Sequence, residues 1–481
     1  MRARRLVLTC LLLSTLSFAK TAQPVTCNQL ATWVASDVQS QSLIRFVQQS
    51  GIAFDLTDAT ARSLISVGAK ADLITVLRSL KPVTATAHEC SAVVIDAAAK
   101  LHAGSYEQAR SELDVLAGRE AQDGALRFAL ANAYLRMGML DDAFDEYSNS
   151  KERMPYFPEV HSRLAYVFYR YDDGDNAIAE ARTALSMDPA NAEAYRFLGL
   201  GFVSNGSYPA ALNAFQQALV RDPGNAETYY DIGIALRLNK DLAGAVSAYR
   251  KAIRLNPKFW EAHNNLGIAL RDLGEMEAAM AEYREAKRLA PSEGSVRFNL
   301  GNLLCDNNRF DEAIVELREL FRSNPDWPQG HDVLAKALMA KREYVPAIAE
   351  LRLAIAQSPT QAVEHRVLGQ ALLITGKGEE AERELRIAVQ LDPDSPVAHH
   401  FLATALFQAE KWEPAEQEFH EALRLQPNAD NHFYLGACLA SMGKYDQALS
   451  ELEAASRLDP QQTLYRTRKE EVLKLKGQST P

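Results

Sequence analysis

Ten prolines set the terms on which this chain can fold. Pro155, Pro189, Pro223, Pro257, Pro291, Pro325, Pro359, Pro393 and Pro427 follow one another at intervals of 34 residues, and Pro460 comes after 33, past a one-residue deletion near Asn431. Ten residues after each of the first nine prolines stands a small residue: Ala165, Gly199, Gly233, Gly267, Gly301, Ala335, Gly369, Ala403 and, one early, Gly436. Twelve residues further on comes an alanine, from Ala177 to Ala448. Running the register backwards finds Ala131 with Ala143 and Ala97 with Ala109, which makes eleven repeats over residues 90–462. Their bounds are 90–123, 124–157, 158–191, 192–225, 226–259, 260–293, 294–327, 328–361, 362–395, 396–429 and 430–462. A strict period of this length means one supersecondary unit copied in series.

Within a repeat the apolar residues recur at steps of three, four and seven, as in Tyr195, Leu198, Phe202, Tyr208 and Phe215, so two amphipathic helices are expected per repeat. Two antiparallel helices approach closely only where their crossing point carries small side chains, which is the place of the periodic glycines and alanines. Proline ends the second helix and lets the next begin in a new direction. The run Tyr195-x2-Leu198-Gly199-x2-Phe202…Ala211-x3-Phe215…Ala218…Pro223 resembles the tetratricopeptide repeat at each of its signature positions. The resemblance implies an all-α fold, a right-handed superhelix of stacked helix pairs. It departs from the family pattern at Leu116, Ser150 and Leu320, which replace the later alanine, and at Ala121, which replaces the first closing proline.

The ends differ from the repeats. Arg2, Arg4 and Arg5, the apolar run Leu6 to Leu16 and the small residues of Ser17-Phe18-Ala19 read as a signal peptide over residues 1–19. Residues 28–80 read as a small helical module with stops at Gly51 and Gly68 and a core of Ile44, Phe46, Val47, Phe54, Leu64, Ile65, Leu73, Ile74 and Leu77. A linker covers 81–89, and a charged helix over 463–476 is expected to cap the last repeat. No segment reaches the roughly 20 apolar residues of a membrane span. The formal charge is -10, and -13 without the first residues, which disfavours a nucleic-acid partner. Cys27 and Cys90 bracket the module; an exported chain permits them to pair, while spacing alone leaves two independent thiols equally open. Cys305 and Cys438 fall inside repeat helices as packing residues.

Catalytic and metal signatures find little support. His161, His263, His331, His365, His399 and His432 share one repeat position, and neighbouring copies of it stand roughly 8–10 Å apart, too far to share a zinc ion. They read as packing residues. The acidic side chains, as in Glu382 beside Arg386, read as solvated helix faces. No phosphate loop, nucleophile elbow or Cys-x-x-Cys is present, so neither an enzyme nor a bound cofactor is expected.

In the family that the repeats resemble, the first helix of each pair lines a concave groove. Carried onto this chain, the lining comprises Tyr166, Tyr169, Arg196, Tyr230, Arg237, Asn264, Asn265, Arg271, Phe298, Asn299 and Asn302, then Lys336, Arg366, Gln370, His400, Phe407 and Phe433. Asn265 and Asn299 precede Leu-Gly as in the asparagine ladder of the O-linked N-acetylglucosamine transferase repeats, whose catalytic domain is absent here. An amide donates and accepts at once, which suits a peptide backbone. The expectation is an exported, periplasmic scaffold holding a protein or an extended peptide. The alternative is a structural subunit of a cell-envelope secretion, pilus or polysaccharide-export assembly.

Overall fold

The computed structural model describes residues 23–83 and 89–479. The signal peptide read over 1–19 and most of the linker read over 81–89 lie outside the described residues. Among the described residues there are 27 helices and no strand, with two isolated parallel bridges, Val25 to Ile52 and Ile52 to Pro82. No described helix is long and apolar enough to cross a membrane. The chain divides into two compact halves, Met1–Pro257 with repeats 1 to 5 and Lys258–Pro481 with repeats 6 to 11.

Each repeat is a helical hairpin whose first and second helices are here called A and B. Repeat 4 shows how the sequence builds one. Asn191 caps helix A (Ala192–Ser204), its side chain accepting from the backbone N–H of Ala194. Helix B (Tyr208–Arg221) starts with Pro209 in its first turn, where no backbone donor is lost, and ends at Asp222 just before Pro223. The tight A-to-B turn requires a left-handed residue, and the requirement repeats in register. Gly104, Gly138, Gly206, Gly274, Gly376 and Gly443 hold that place, and Asp172, Lys240, Asn308, Arg342 and Glu410 hold it with φ of 57° to 67°. At the helix crossing the need for a small residue is steric: a Cβ on Gly267 would lie 2.7 Å from the Tyr283 ring. The alanines of the second signature position, such as Ala211, Ala245 and Ala279, are fully buried.

Repeat 8 departs from the pattern. Its helix A (His331–Ala340) has 10 residues where the other A helices of its half have 13. Pro328-Gln329-Gly330 delays the start, and Gly330 takes φ 102° against the Phe298 ring.

In the N-terminal half, four short helices (Cys27–Ala35, Ser40–Ser50, Asp58–Ser66 and Ala71–Ser79) precede the repeats. They do not form a core of their own. One continuous apolar cluster runs from Val25 to Val167, through the module and repeats 1 to 3. Trp33 stacks on Phe157, the last residue of repeat 2, at 4.1 Å between centroids, and Phe46 meets Phe157 edge-on at 5.2 Å. Ile65, expected inside, is exposed, while Leu64 beside it on the same helix is fully buried. Cys27 and Cys90 form a disulfide with Cα atoms 4.9 Å apart. In the C-terminal half, helix Thr463–Ser479 closes the array: Val472 and Tyr465 are buried against repeat 11, and the Tyr465 hydroxyl donates to Asp430 at 2.6 Å.

Candidate ligand-binding face of the repeats

The shared histidine position is more than packing. In each copy the imidazole Nδ1 lies 2.5 to 2.7 Å from a carboxylate oxygen 19 residues further on, across the hairpin: His161–Glu180, His263–Glu282, His331–Glu350, His365–Glu384, His399–Glu418 and His432–Glu451. Arg127–Glu146 at 2.9 Å and Arg297–Glu316 at 3.1 Å are the same clasp with a guanidinium. In His161, His365 and His399 the second ring nitrogen faces the carbonyl oxygen of the proline six residues earlier, near the end of the preceding repeat, at 2.9 to 3.4 Å. Burial pushes the Glu180 carboxyl up, but hydrogen bonds from His161 and Lys151 outweigh it and hold it below the usual range. These carboxylates face the partner helix, which corrects their reading as a solvated face. The Glu382–Arg386 pair, at 2.9 Å, is on the surface as expected, with Lys411 as a third member. Among the described residues no group of three or more His, Cys, Asp or Glu is arranged to hold a metal ion.

In the N-terminal half, the face expected to bind is partly filled by the chain itself. The Asn132 side chain donates to the Ser36 carbonyl at 2.7 Å, and Arg136 pairs with Asp37 at 2.7 Å. Arg45 of the module forks onto Asp188 of repeat 3 at 2.6 to 3.1 Å. Tyr166, Tyr169 and Phe197 form a half-open aromatic patch, with Tyr166 5.2 Å from Phe197 and 6.2 Å from Tyr169. Arg196 is not available to a ligand: it pairs with Glu227 and, at 2.6 Å, with Asp231. Burial pushes Asp231 up to about 6, and Arg196 offsets only part of that. Tyr230 packs beside Tyr249 at 5.9 Å, and Arg237 is half-buried.

In the C-terminal half, the short asparagine ladder is occupied. Asn299 donates to Asn264 at 3.0 Å, so its amide links neighbouring A helices instead of waiting for a peptide backbone. Asn265 is half-buried next to it, and Arg271 pairs with Asp272 at 3.3 Å. Phe298 is half-buried over Gly330. Asn302, Arg366 and Gln370 make no hydrogen bond or ion pair with any described residue and are half-exposed. Their neighbours on the B helices are tied up: Arg288 with Glu285, Arg322 with Glu319, Arg352 with Glu380, Arg424 with Glu421 and Lys444 with Glu416.

A cavity of about 530 Å³ opens between the A helices of repeats 8 and 9. Met339, Ala340, Tyr344, Leu351, Val367 and Ile374 give it apolar walls, and Arg366 and Gln370 stand among them. Two substitutions open it. Asp332 stands at the step where the flanking repeats carry Phe298 and Arg366, and Ala340 at the step of Asp306 and Ile374. The sequence reading named Lys336, Arg366 and Gln370 but missed the apolar walls.

The tetratricopeptide repeat family model matches residues 162–226, 198–258, 230–293, 298–362 and 402–463, more than half of the chain. The chain belongs to the tetratricopeptide repeat family. Such repeats form protein-binding scaffolds, and the fold described above is the α-solenoid of helix pairs that the family shares. Among solved structures, a chain of the APC/C hetero-tetramer Cut9–Hcn1 is 15% identical, with 78% of this chain and 68% of that one covered and a TM-score of 0.47. A tetratricopeptide repeat protein from Parabacteroides merdae is 17% identical over 52% of this chain and 98% of its own, TM-score 0.36. YrrB, described as having an unusual peptide-binding site, is 20% identical over 47% and 99%, TM-score 0.30. At these scores none of them bears on a ligand for this chain. A comparison with curated proteins finds no match.

Proposed function

We propose that this protein is an exported, non-enzymatic tetratricopeptide scaffold whose C-terminal half holds an extended segment of a partner protein on the A-helix face. The observation that carries the reading is a set of unused polar groups on A helices: Asn302, Arg366 and Gln370 are half-exposed without a hydrogen bond or ion pair, while many B-helix charges, such as Arg288, Arg322 and Arg352, are ion-paired. Polar groups beside apolar walls are what a partner's backbone and side chains engage. In the N-terminal half the module covers part of the equivalent face, which leaves the C-terminal half as the place for a ligand. Export rests on the basic, apolar and small-residue order of residues 1–19, and the disulfide between Cys27 and Cys90 suits an oxidising compartment such as the periplasm.

Site-specific photocrosslinking tests the binding face. A photoreactive residue at Asn302 or Gln370 is expected to capture a discrete partner in envelope extracts, and the same residue at Arg322 or Arg352 on the B helices is not. Capture from the B-helix positions alone would replace this reading with the structural-subunit one.

A further inference from the structure

The cavity between repeats 8 and 9 carries an assignment finer than a binding face, and it rests on the protein-binding reading above. Its floor is Leu351, buried in the hairpin of repeat 8, and its rim is apolar and open, with Val363 and Ile374 more than half exposed. Apolar side chains held open to water at the mouth of a concave site gain by receiving an apolar group. Arg366 enters from one wall. Burial lowers its affinity for a proton, and no carboxylate in the described structure forms an ion pair with it. Gln370, one helical turn on, presents an amide without a partner on the same side. The charged residues around the cavity balance. Asp332 and Glu364 are set against Lys336 and Arg366, and Lys336 is already bonded to Asp306 at 3.0 Å. A site with a guanidinium and an amide but no excess positive charge is matched to a neutral, strongly hydrogen-bonding group rather than to phosphate or a free carboxylate. A peptide backbone is such a group: its carbonyl accepts from Arg366, and its N–H and carbonyl suit the two ends of the Gln370 amide.

We propose that this cavity is a side-chain pocket for an extended peptide: a bulky aliphatic or aromatic residue of the partner enters over Leu351, and Arg366 and Gln370 hold the backbone beside it. The volume, about 530 Å³, is in the range of pockets that enclose a whole ligand group. Repeat 8 supplies the room through Asp332 and Ala340, so the pocket belongs to this place in the array and not to every repeat.

The test is selection of phage-displayed dodecapeptides on the full-length protein, followed by fluorescence anisotropy with synthetic peptides blocked at both ends. Selected peptides are expected to share a large apolar residue. Ala340→Phe, which fills the pocket from an exposed position, and Arg366→Ala should each weaken binding at least tenfold. Val363→Glu at the rim is a second variant that leaves the core untouched and should do the same, while Val345→Ala on a B helix should change affinity less than twofold. Peptides that bind Ala340→Phe and Arg366→Ala as tightly as wild type overturn the pocket and leave the scaffold reading standing. Failure to recover any peptide overturns both. Displacement of the neutral dye Nile red from wild type by no selected peptide, with loss of the dye in Ala340→Phe, overturns the peptide assignment in favour of a small apolar ligand.

Discussion

Glu159 should make the N-terminal half less stable as pH rises, and the size of the effect can be worked out. The residue lies in helix A of repeat 3 (Pro158–Arg170), beneath the N-terminal module, and is only 3% exposed. Burial pushes its carboxyl up from 4.5 to about 7; a hydrogen bond with Ser42 opposes this, and the nearby Glu193 and Asp188 add to it. The Asn191 amide donates to its Oε1 at 3.1 Å. Between those two values the folded protein holds a proton that the unfolded chain has released. Stability is therefore full below pH 4.5 and falls as pH rises through 7. A shift of about 2.5 units at 1.36 kcal/mol each gives a loss of about 3 kcal/mol. Glu159→Gln keeps the shape and the bond from Asn191 but cannot ionise. Urea unfolding should be followed by hydrogen exchange in Cys27–Ala35 and Pro158–Arg170, which reports this half alone. The variant should exceed wild type by under about 1 kcal/mol at pH 5 and by about 3 kcal/mol at pH 8. Other titrating groups are common to both proteins and cancel in the difference. A difference that stays constant across that range would mean that Glu159 is not desolvated, and the packing of the module on repeat 3 would be in error.

Ala211→Leu inserts a larger group at a fully buried crossing and should lower stability by about 1–3 kcal/mol in urea; an unchanged midpoint would misplace the hairpin of repeat 4. Cys27→Ser with Cys90→Ser frees a loop of 63 residues, and loop closure alone predicts a loss of about 4 kcal/mol in the N-terminal half with no change in the C-terminal half. Lys240→Gly relieves a left-handed backbone at φ 67° and, after the entropy cost of glycine, should stabilise by about 0.5 kcal/mol in thermal or urea unfolding. For His365 and Glu384, a double-mutant cycle to Phe and Leu should return a coupling of about 1–3 kcal/mol, with each single change costing more than half of it; a coupling near zero would reduce the clasp to proximity.

The fold was legible because its two demands are written in residue type at a fixed period. Small residues mark the crossings and proline marks the ends of the B helices, and no tertiary information is needed to read either. The module was less legible. Its helices could be drawn from Gly51 and Gly68, but the Trp33–Phe46–Phe157 cluster joins residues far apart in sequence, and no local pattern tells a side chain that its partner lies at the end of repeat 2. The binding face was legible only as positions. Arg196, Asn264 and Asn299 sit where the repeat register placed them, yet their hydrogen-bonding groups are engaged by neighbours one repeat away, at separations of 31 to 35 residues. Whether a polar residue on such a face awaits a ligand depends on what the adjacent repeat carries at the matching step.

The His–Glu clasp shows what a single repetitive sequence can still yield. Wherever a basic residue stands at this shared repeat position, from Arg127 to His432, glutamate stands 19 places beyond it. Repeats 4 and 5 carry tyrosine instead, Tyr195 and Tyr229, and there the partner position is Ala214 or Ala248. The two rings take cations from their own B helices, Arg221 at 4.2 Å and Lys251 at 5.7 Å. A ring without a charge needs no carboxylate, and a carboxylate left in that half-buried place without a donor would be costly, so the alanines are the physical complement of the tyrosines. Ten of the eleven copies thus act as their own alignment, repeat 1 departing with Val93 opposite Glu112. Residues that change together across them touch, and the exchange of Glu for Ala in step with His for Tyr identifies a contact across the hairpin that reading each histidine alone assigns to packing.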